Sequence, residues 1–307
     1  MDEFDFISKL KNSTVQKNDM LSIGDDAAFI DNYLIAKDIM VENVHFLPST
    51  PIEYFIKKLF VSNISDICAM GGYSKYVLLG ISIPKHYLFT EKLIGEISSN
   101  LKKYNLYLIG GDTTESKNDI FLSLTILGHP YKKILTRSGA KPGDILYLSR
   151  EIGLSKLSLE KELNINKIDI SPYLHYQNEP ELILSKILSE QIDTTSCIDI
   201  SDGLGKDAGH IATASNVKIV IEESLLRNEE LGKYKIKDSL NYILSSGEEF
   251  GLLFTINKND EDLLLKICKQ ENIFPIKIGY VTSGKGVYLR SANKFTDISN
   301  FGYEHKF

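Results

Sequence analysis

Short β-rich apolar runs alternate with segments of helical spacing along the whole chain. Residues 21–26 and 33–38 read as two strands joined by a turn at Asp31-Asn32, and residues 76–83, 106–109 and 120–128 as three more. Between them, residues 51–70 place Ile56, Leu59, Phe60, Val61, Ile64, Ile67, Cys68 and Met70 around the full circumference of a helix. That pattern predicts a buried helix, with Ser49 or Thr50 as its cap and Gly71-Gly72 as its stop. Residues 90–104 carry Leu93, Ile94, Ile97 and Leu101 on one stripe, with Thr90 as the expected cap. The turn-rich text from Thr136 to Asp144 then separates two halves, expected as domains over residues 1–138 and 139–307. The second half predicts strands at 145–148, 197–200, 217–221, 250–256, 276–281 and 287–290. It predicts helices at 179–190, 205–215, near 240 and at 260–270, and a hairpin turn at Gly284-Lys285-Gly286. Interleaving in both halves gives an α/β (α+β) protein.

Composition narrows the function. The 307 residues are 43% hydrophobic and 25% charged, as in ordinary globular proteins. Lys plus Arg is 35 against 41 Asp plus Glu, a net charge of −6, which argues against nucleic acid as the main partner. Cys68, Cys197 and Cys268 are too scattered for a disulfide framework or a zinc cage. No apolar run approaches a membrane span, and the acidic start Met1-Asp2-Glu3-Phe4 is no signal peptide, so a cytoplasmic protein is expected. The motifs of P-loop enzymes, protein kinases, dinucleotide folds and nucleophile elbows are missing.

The chemistry-bearing signal is a placement of acids. Asp25-Asp26, Asp38, Asp112, and Asp199 with Asp202 each follow an apolar strand, several beside glycines. Any one alone reads as a turn. Four strand ends converging would repel one another unless cations lay between them, and oxygen ligands without Cys or His suit Mg2+ that also binds substrate phosphates. Ser62, Asn63 and Asp66 share one side of the predicted buried helix, where an Asp must be hydrogen-bonded, paired or bound to metal. His45, Arg137 and the Glu248-Glu249 pair are weaker candidates when read singly.

Seven segments, in order, carry a resemblance. They are Ile23-Gly24-Asp25-Asp26-Ala27-Ala28, Val44-His45-Phe46-Leu47-Pro48, the run from Val61 to Gly71, Leu108 to Thr114, Leu135 to Asp144, Ile198 to Leu204, and Ser246-Gly247-Glu248-Glu249-Phe250. The chain resembles the thiamine-monophosphate kinases, within the superfamily of aminoimidazole ribonucleotide synthetase and selenophosphate synthetase. The resemblance implies that superfamily's two-domain fold, with an N-terminal sheet domain that forms a homodimer and a C-terminal α/β domain over the nucleotide site. It implies phosphorylation of thiamine monophosphate by ATP with Mg2+. Metal ligands are implied at Asp26, Asp38, Asp66, Asp112, Asp199 and Asp202, and nucleotide contacts at Gly111, Asp112, Arg137 and Ser201. Substrate contacts are implied at His45, Glu248 and, by spacing, Asn300. Asp66, Asp112, Arg137 and Asp202 would serve the chemical step.

The sequence departs from that pattern at several points. The family's Ser-Thr before Asp38 is Ala36-Lys37, with Lys37 either a fixed cation beside the phosphates or turned elsewhere. The second acid of the family's Gly-Gly-Glu-Asp-Tyr is Glu249. The family's Arg-rich stretch is His175 to Pro180 without arginine. Its C-terminal Trp is replaced, with Phe301 as the expected nearest aromatic. A nucleotide-binding relative with another acceptor or without catalysis is the alternative, and a ribonucleotide ligase-like synthetase a lesser one.

Overall fold

The computed structural model describes residues 3–13 and 20–303. After helix α1 (Glu3–Ser13), the first half builds a five-stranded sheet from β1 (Ala28–Ile30), β2 (Tyr33–Val41), β3 (Gly72–Pro84), β4 (Tyr107–Ser116) and β5 (Phe121–Pro130), in the order β1-β2-β5-β3-β4. All neighbours are antiparallel except β3 and β4. Helix α2 (Ile52–Ala69) covers one face, and α3 (Thr90–Lys103) packs against α2. The second half builds a seven-stranded sheet from β6 (Ile145–Leu148), β7 (Thr194–Asp199), β8 (Lys218–Glu222), β9 (Leu252–Ile256), β10 (Ile276–Thr282), β11 (Gly286–Ser291) and β12 (Lys294–Asp297), in the order β12-β11-β8-β10-β6-β9-β7. Its helices are α4 (Leu154–Glu162), α5 (Leu182–Glu190), α6 (Leu204–Ser215), α7 (Glu229–Lys233), α8 (Ser239–Ser245) and α9 (Glu261–Gln270). The α/β architecture with two sheets is the one the sequence predicts. Among the described residues, no helix is long and apolar enough to cross a membrane.

Helix α2 explains why its apolar residues run all round. One side packs on β2, β3 and β5, and the other meets β7 and α5 of the second half. Ile56, Leu59, Phe60, Ile64, Ile67 and Cys68 are essentially inaccessible, and each large apolar side chain buried this way stabilises the fold by about 2 kcal/mol. The core continues to the second sheet by strand alternation: Ile145, Tyr147, Leu252, Phe254 and Ile256 join this cluster, while Leu146, Leu148 and Leu253 point into a second one around α6. The helix ends at Gly71, whose φ of 69° is left-handed and where a Cβ would lie 2.9 Å from the Lys133 carbonyl oxygen.

Several expectations are corrected. Residues 21–26 form isolated bridges and the first strand starts at Ala28, because the Gly24–Asp26 stretch turns its carboxyls into the interior instead of pairing along a ladder. The Asp31-Asn32 turn holds, with φ of 49° and 65°. Neither Thr50 nor Thr90 caps its helix. The Thr50 hydroxyl accepts from Leu47 N–H and donates to Glu162. Asp38 and Asp112 lie inside β2 and β4 and not at strand ends. Gly284–Gly286 is no hairpin turn, because β10 and β11 flank β8 on opposite sides. Helices α1, α4 and α7 and strand β12 were not expected.

Candidate active site

Three carboxylates meet where the halves join. Asp26 arrives just before β1, Asp66 from the last turns of α2, and Asp199 as the final residue of β7. One oxygen of each lies within 4.8 Å of the others. Arg137, in the connection between the sheets, donates from Nη2 to Asp26 Oδ1 at 2.6 Å and from its backbone N–H to Asp25 Oδ1 at 2.7 Å. Burial, followed by the charges of Asp38, Asp199 and Asp26, holds Asp66 well above the usual carboxylate range. Burial and then Asp26 push Asp199 up to about 8. Burial also raises Asp26 against the pull of Arg137. Asp38 is raised by burial against a hydrogen bond from Ser62 and the charge of Lys58. Asn63 accepts the Asp38 backbone N–H at 3.2 Å, so the polar side of α2 faces this cluster.

Two residues beyond Asp199, Ser201 and Asp202 enter the wall of a cavity of about 520 Å³. His45, Lys58, Glu160, Glu162, Tyr176 and Glu248 line it, with Val44, Leu159 and Leu163 as its apolar side. The loop bearing Glu248 is tightly held. Glu248 N–H donates to Ser201 O at 2.8 Å, and Phe250 N–H to Ile200 O at 2.9 Å. Glu248 and Phe250 adopt left-handed φ of 56° and 51°, a backbone strain typical of binding loops. Asp202 groups with Asp207 and His210 within 4.8 Å. Asp207 Oδ2 accepts the N–H groups of Ser201, Asp202 and Gly203 at 3.1, 3.2 and 2.9 Å, which shapes the turn into α6. Burial first, and Arg137 second, press His210 down to about 4, so it is neutral at pH 7.

The expected site residues therefore fall in three places. Asp26, Asp66, Asp199 and Arg137 meet, with Asp38 beside them. His45, Ser201, Asp202 and Glu248 share the cavity. Asp112 lies elsewhere: β4 pairs it with Gly80, which pairs with Ser123 on the open face of the first sheet. Lys37 is on that face too, donating to Ser123 Oγ at 2.6 Å and Thr125 Oγ1 at 3.3 Å, so it points away from Asp38. Gly111 admits no side chain, since a Cβ would lie 1.9 Å from the Leu79 carbonyl oxygen. Asn300 is exposed and does not line the cavity. Phe301 packs against the second core, and Tyr303 takes the cavity wall, its N–H donating to Asp202 O at 2.9 Å. Spacing misplaced this residue because the tail's register is set by backbone hydrogen bonds. Lys58, Asp207 and the α4 wall were also not foreseen.

The arrangement, a two-sheet α/β chain with buried carboxylates at the junction, defines a class. Residues 24–129 match the AIR synthase related protein N-terminal domain, and residues 141–291 the corresponding C-terminal domain. Within that class the chain belongs to the thiamine-monophosphate kinase family. It is 34% identical over 319 residues to thiamine-monophosphate kinase of Buchnera aphidicola subsp. Schizaphis graminum, covering 99% of this chain and 98% of that one. It is 33% identical over 326 residues to that of Bacillus subtilis, covering 99% of each. A solved structure described as AaThiL complexed with AMPPCP and TMP superposes with a TM-score of 0.85 at 27% identity, covering 99% of this chain and 97% of the other.

Proposed function

We propose that this protein transfers the γ-phosphoryl group of ATP directly to the phosphate of thiamine monophosphate, forming thiamine diphosphate. The observation that carries this reading is a repelling carboxylate cluster linked, through the turn from Asp199 to Asp202, to a cavity walled by His45 and Glu248, in a chain of this family. The cluster fits Mg2+ on its own chemistry. Its donors are all oxygens, and Asp26 Oδ2 is buried with no hydrogen-bond partner among the described residues. Asp26, Asp66 and Asp199, with Asp38 beside them, would hold metal at the cluster and Asp202 would do so from the cavity side, and the metal would neutralise phosphate charge. The rest falls to the chain. His45, Glu248 and Tyr303 orient the acceptor. Arg137 offers its guanidinium to the transferring phosphoryl group. The acceptor phosphate has a second pKa near 6, so it is ionised at neutral pH and needs no strong general base. No covalent phosphoenzyme is needed.

Support comes from the AMPPCP and TMP held by the solved relative. The test is ADP release from Mg-ATP with thiamine monophosphate, with the product identified by mass and controls lacking acceptor or containing EDTA. Acceptor-dependent ADP together with thiamine diphosphate is expected. Mg-ATP binding without turnover of this acceptor would overturn the assignment in favour of a relative with another acceptor or none.

We also assign the open face of the first sheet to a homodimer. Strand β4 is exposed along residues 107–115, and Ile39, Leu78 and Phe121 present apolar surface on the same sheet. Gly111 and Asp112 lie on β4, so the nucleotide contacts assigned to them belong to the paired molecule. Ile39→Lys combined with Leu78→Lys is expected to elute as a folded monomer with much reduced turnover. Dimeric elution of that variant would refute the interface. A cytoplasmic site of action is part of the same reading.

A further inference from the structure

Lys58 follows Lys57 in α2 and, unlike a solvated helix lysine, is only 5% exposed. Its ammonium forms an ion pair with Glu248 Oε1, donates to the His45 carbonyl oxygen at 3.1 Å, and sits 5.3 Å from the centroid of the Tyr176 ring. An ammonium has three N–H groups, and here each has a destination. The lysine therefore spends its donors inside the wall of the cavity. What it joins is informative: the His45 loop comes from the first half, the Glu248 loop from the second, and both border the cavity.

We infer that Lys58 is a positioning residue for the acceptor, holding the Glu248 carboxylate and the His45 loop in register across the junction of the two halves. This rests on the function proposed above. The backbone of the Glu248 loop has its own supports: Glu248 N–H donates to Ser201 O, and Asn178 Nδ2 donates to Glu248 O at 2.8 Å. Losing Lys58 should misdirect the carboxylate while the loop stays in place. The Glu248 side chain is 32% exposed, so water can solvate it once unpaired and the fold tolerates the change. The Lys58 ammonium makes its direct contacts in the cavity wall, and only its charge reaches the cluster, at Asp38, so acceptor binding should suffer most.

The experiment is steady-state kinetics of Lys58→Met and Lys58→Arg with both substrates varied, beside Glu248→Gln and the double variant Lys58→Met/Glu248→Gln. Lys58→Met is expected to raise KM for thiamine monophosphate by about tenfold or more, with KM for ATP changed by less than about twofold. Lys58→Arg should recover part of the loss, because a guanidinium can still reach both acceptors. The double variant should be no worse than Glu248→Gln alone, since the two residues act as one unit. An unchanged acceptor KM with a fall in kcat, or multiplicative losses in the double variant, would overturn the inference while leaving the kinase assignment intact. A wild-type protein that does not turn over thiamine monophosphate would remove both.

Discussion

Asp66→Asn is expected to abolish turnover and yet to raise the melting temperature of the metal-free protein. The two effects have one cause. Asp66 is driven well above its ordinary range by burial and by Asp38, Asp199 and Asp26. Without metal, ionising it in that company costs folding free energy. Asparagine keeps the shape and removes the charge. On the function proposed above the same carboxylate would hold the metal, and its loss should lower kcat by about 10³-fold, the upper scale for losing one preorganised charge-stabilising group. Melting in EDTA should rise by about 2 °C or more, the scale of a 1 kcal/mol effect in a chain of this size.

The sign of the pH dependence follows. An acid whose folded pKa is raised contributes stability that is complete below its unfolded value of 3.8 and is lost as pH rises through the folded value, about 8 for Asp199. Wild-type protein in EDTA should therefore melt at progressively lower temperature between about pH 4 and pH 8. Mg2+ should flatten that slope, and Asp66→Asn should flatten it without metal. Calorimetric scans across this range decide the matter. A variant that melts lower than wild type at pH 8 in EDTA would mean that the cluster is not under electrostatic stress.

Much of this centre was legible in the sequence, because its parts are local. The Asp31-Asn32 turn, strand β6 at 145–148 and the all-round apolar helix α2 each announce themselves within a few residues. The acids were recognisable from residue type and apolar context. What was hidden depends on distant geometry. Whether Asp112 joins Asp66 depends on which face of β4 it occupies, and that parity is set by the register Asp112–Gly80–Ser123. Helix α4 buries mainly Ser155, Leu157 and Ser158, so it shows no apolar stripe. Lys58 reads as a solvated residue until the Glu248 loop of the other half is brought over it. Tyr303 reaches the cavity because Asp202 O takes its N–H and Lys206 donates to its carbonyl oxygen.

Arg137→Gln is expected to be as inactive as Asp66→Asn but to shift stability the opposite way. Arg137 is the cation inside the cluster. Its own burial opposes its charge, but Asp26, Asp199 and Asp25 outweigh that and raise its pKa further. Removing it strands Asp26, whose side chain is 1% exposed, without the 2.6 Å ion pair. Breaking a buried pair from one side costs about 3 kcal/mol or more, because the remaining charge keeps its desolvation penalty. In EDTA at pH 8 the variant should melt well below wild type. Near pH 5 the gap should narrow, since the carboxylates then take up protons whether or not Arg137 is present. Turnover should fall by about 10³-fold or more, the usual worth of an arginine at a transferring phosphoryl group. If Arg137→Gln melts like wild type at pH 8, the Asp26 pair carries no stabilising weight. If it retains turnover, the guanidinium does not face the phosphates. Together the two variants separate what the cluster does for the fold from what it does for the reaction: one removes a repelling charge and the other the charge that offsets repulsion, while both disable phosphoryl transfer.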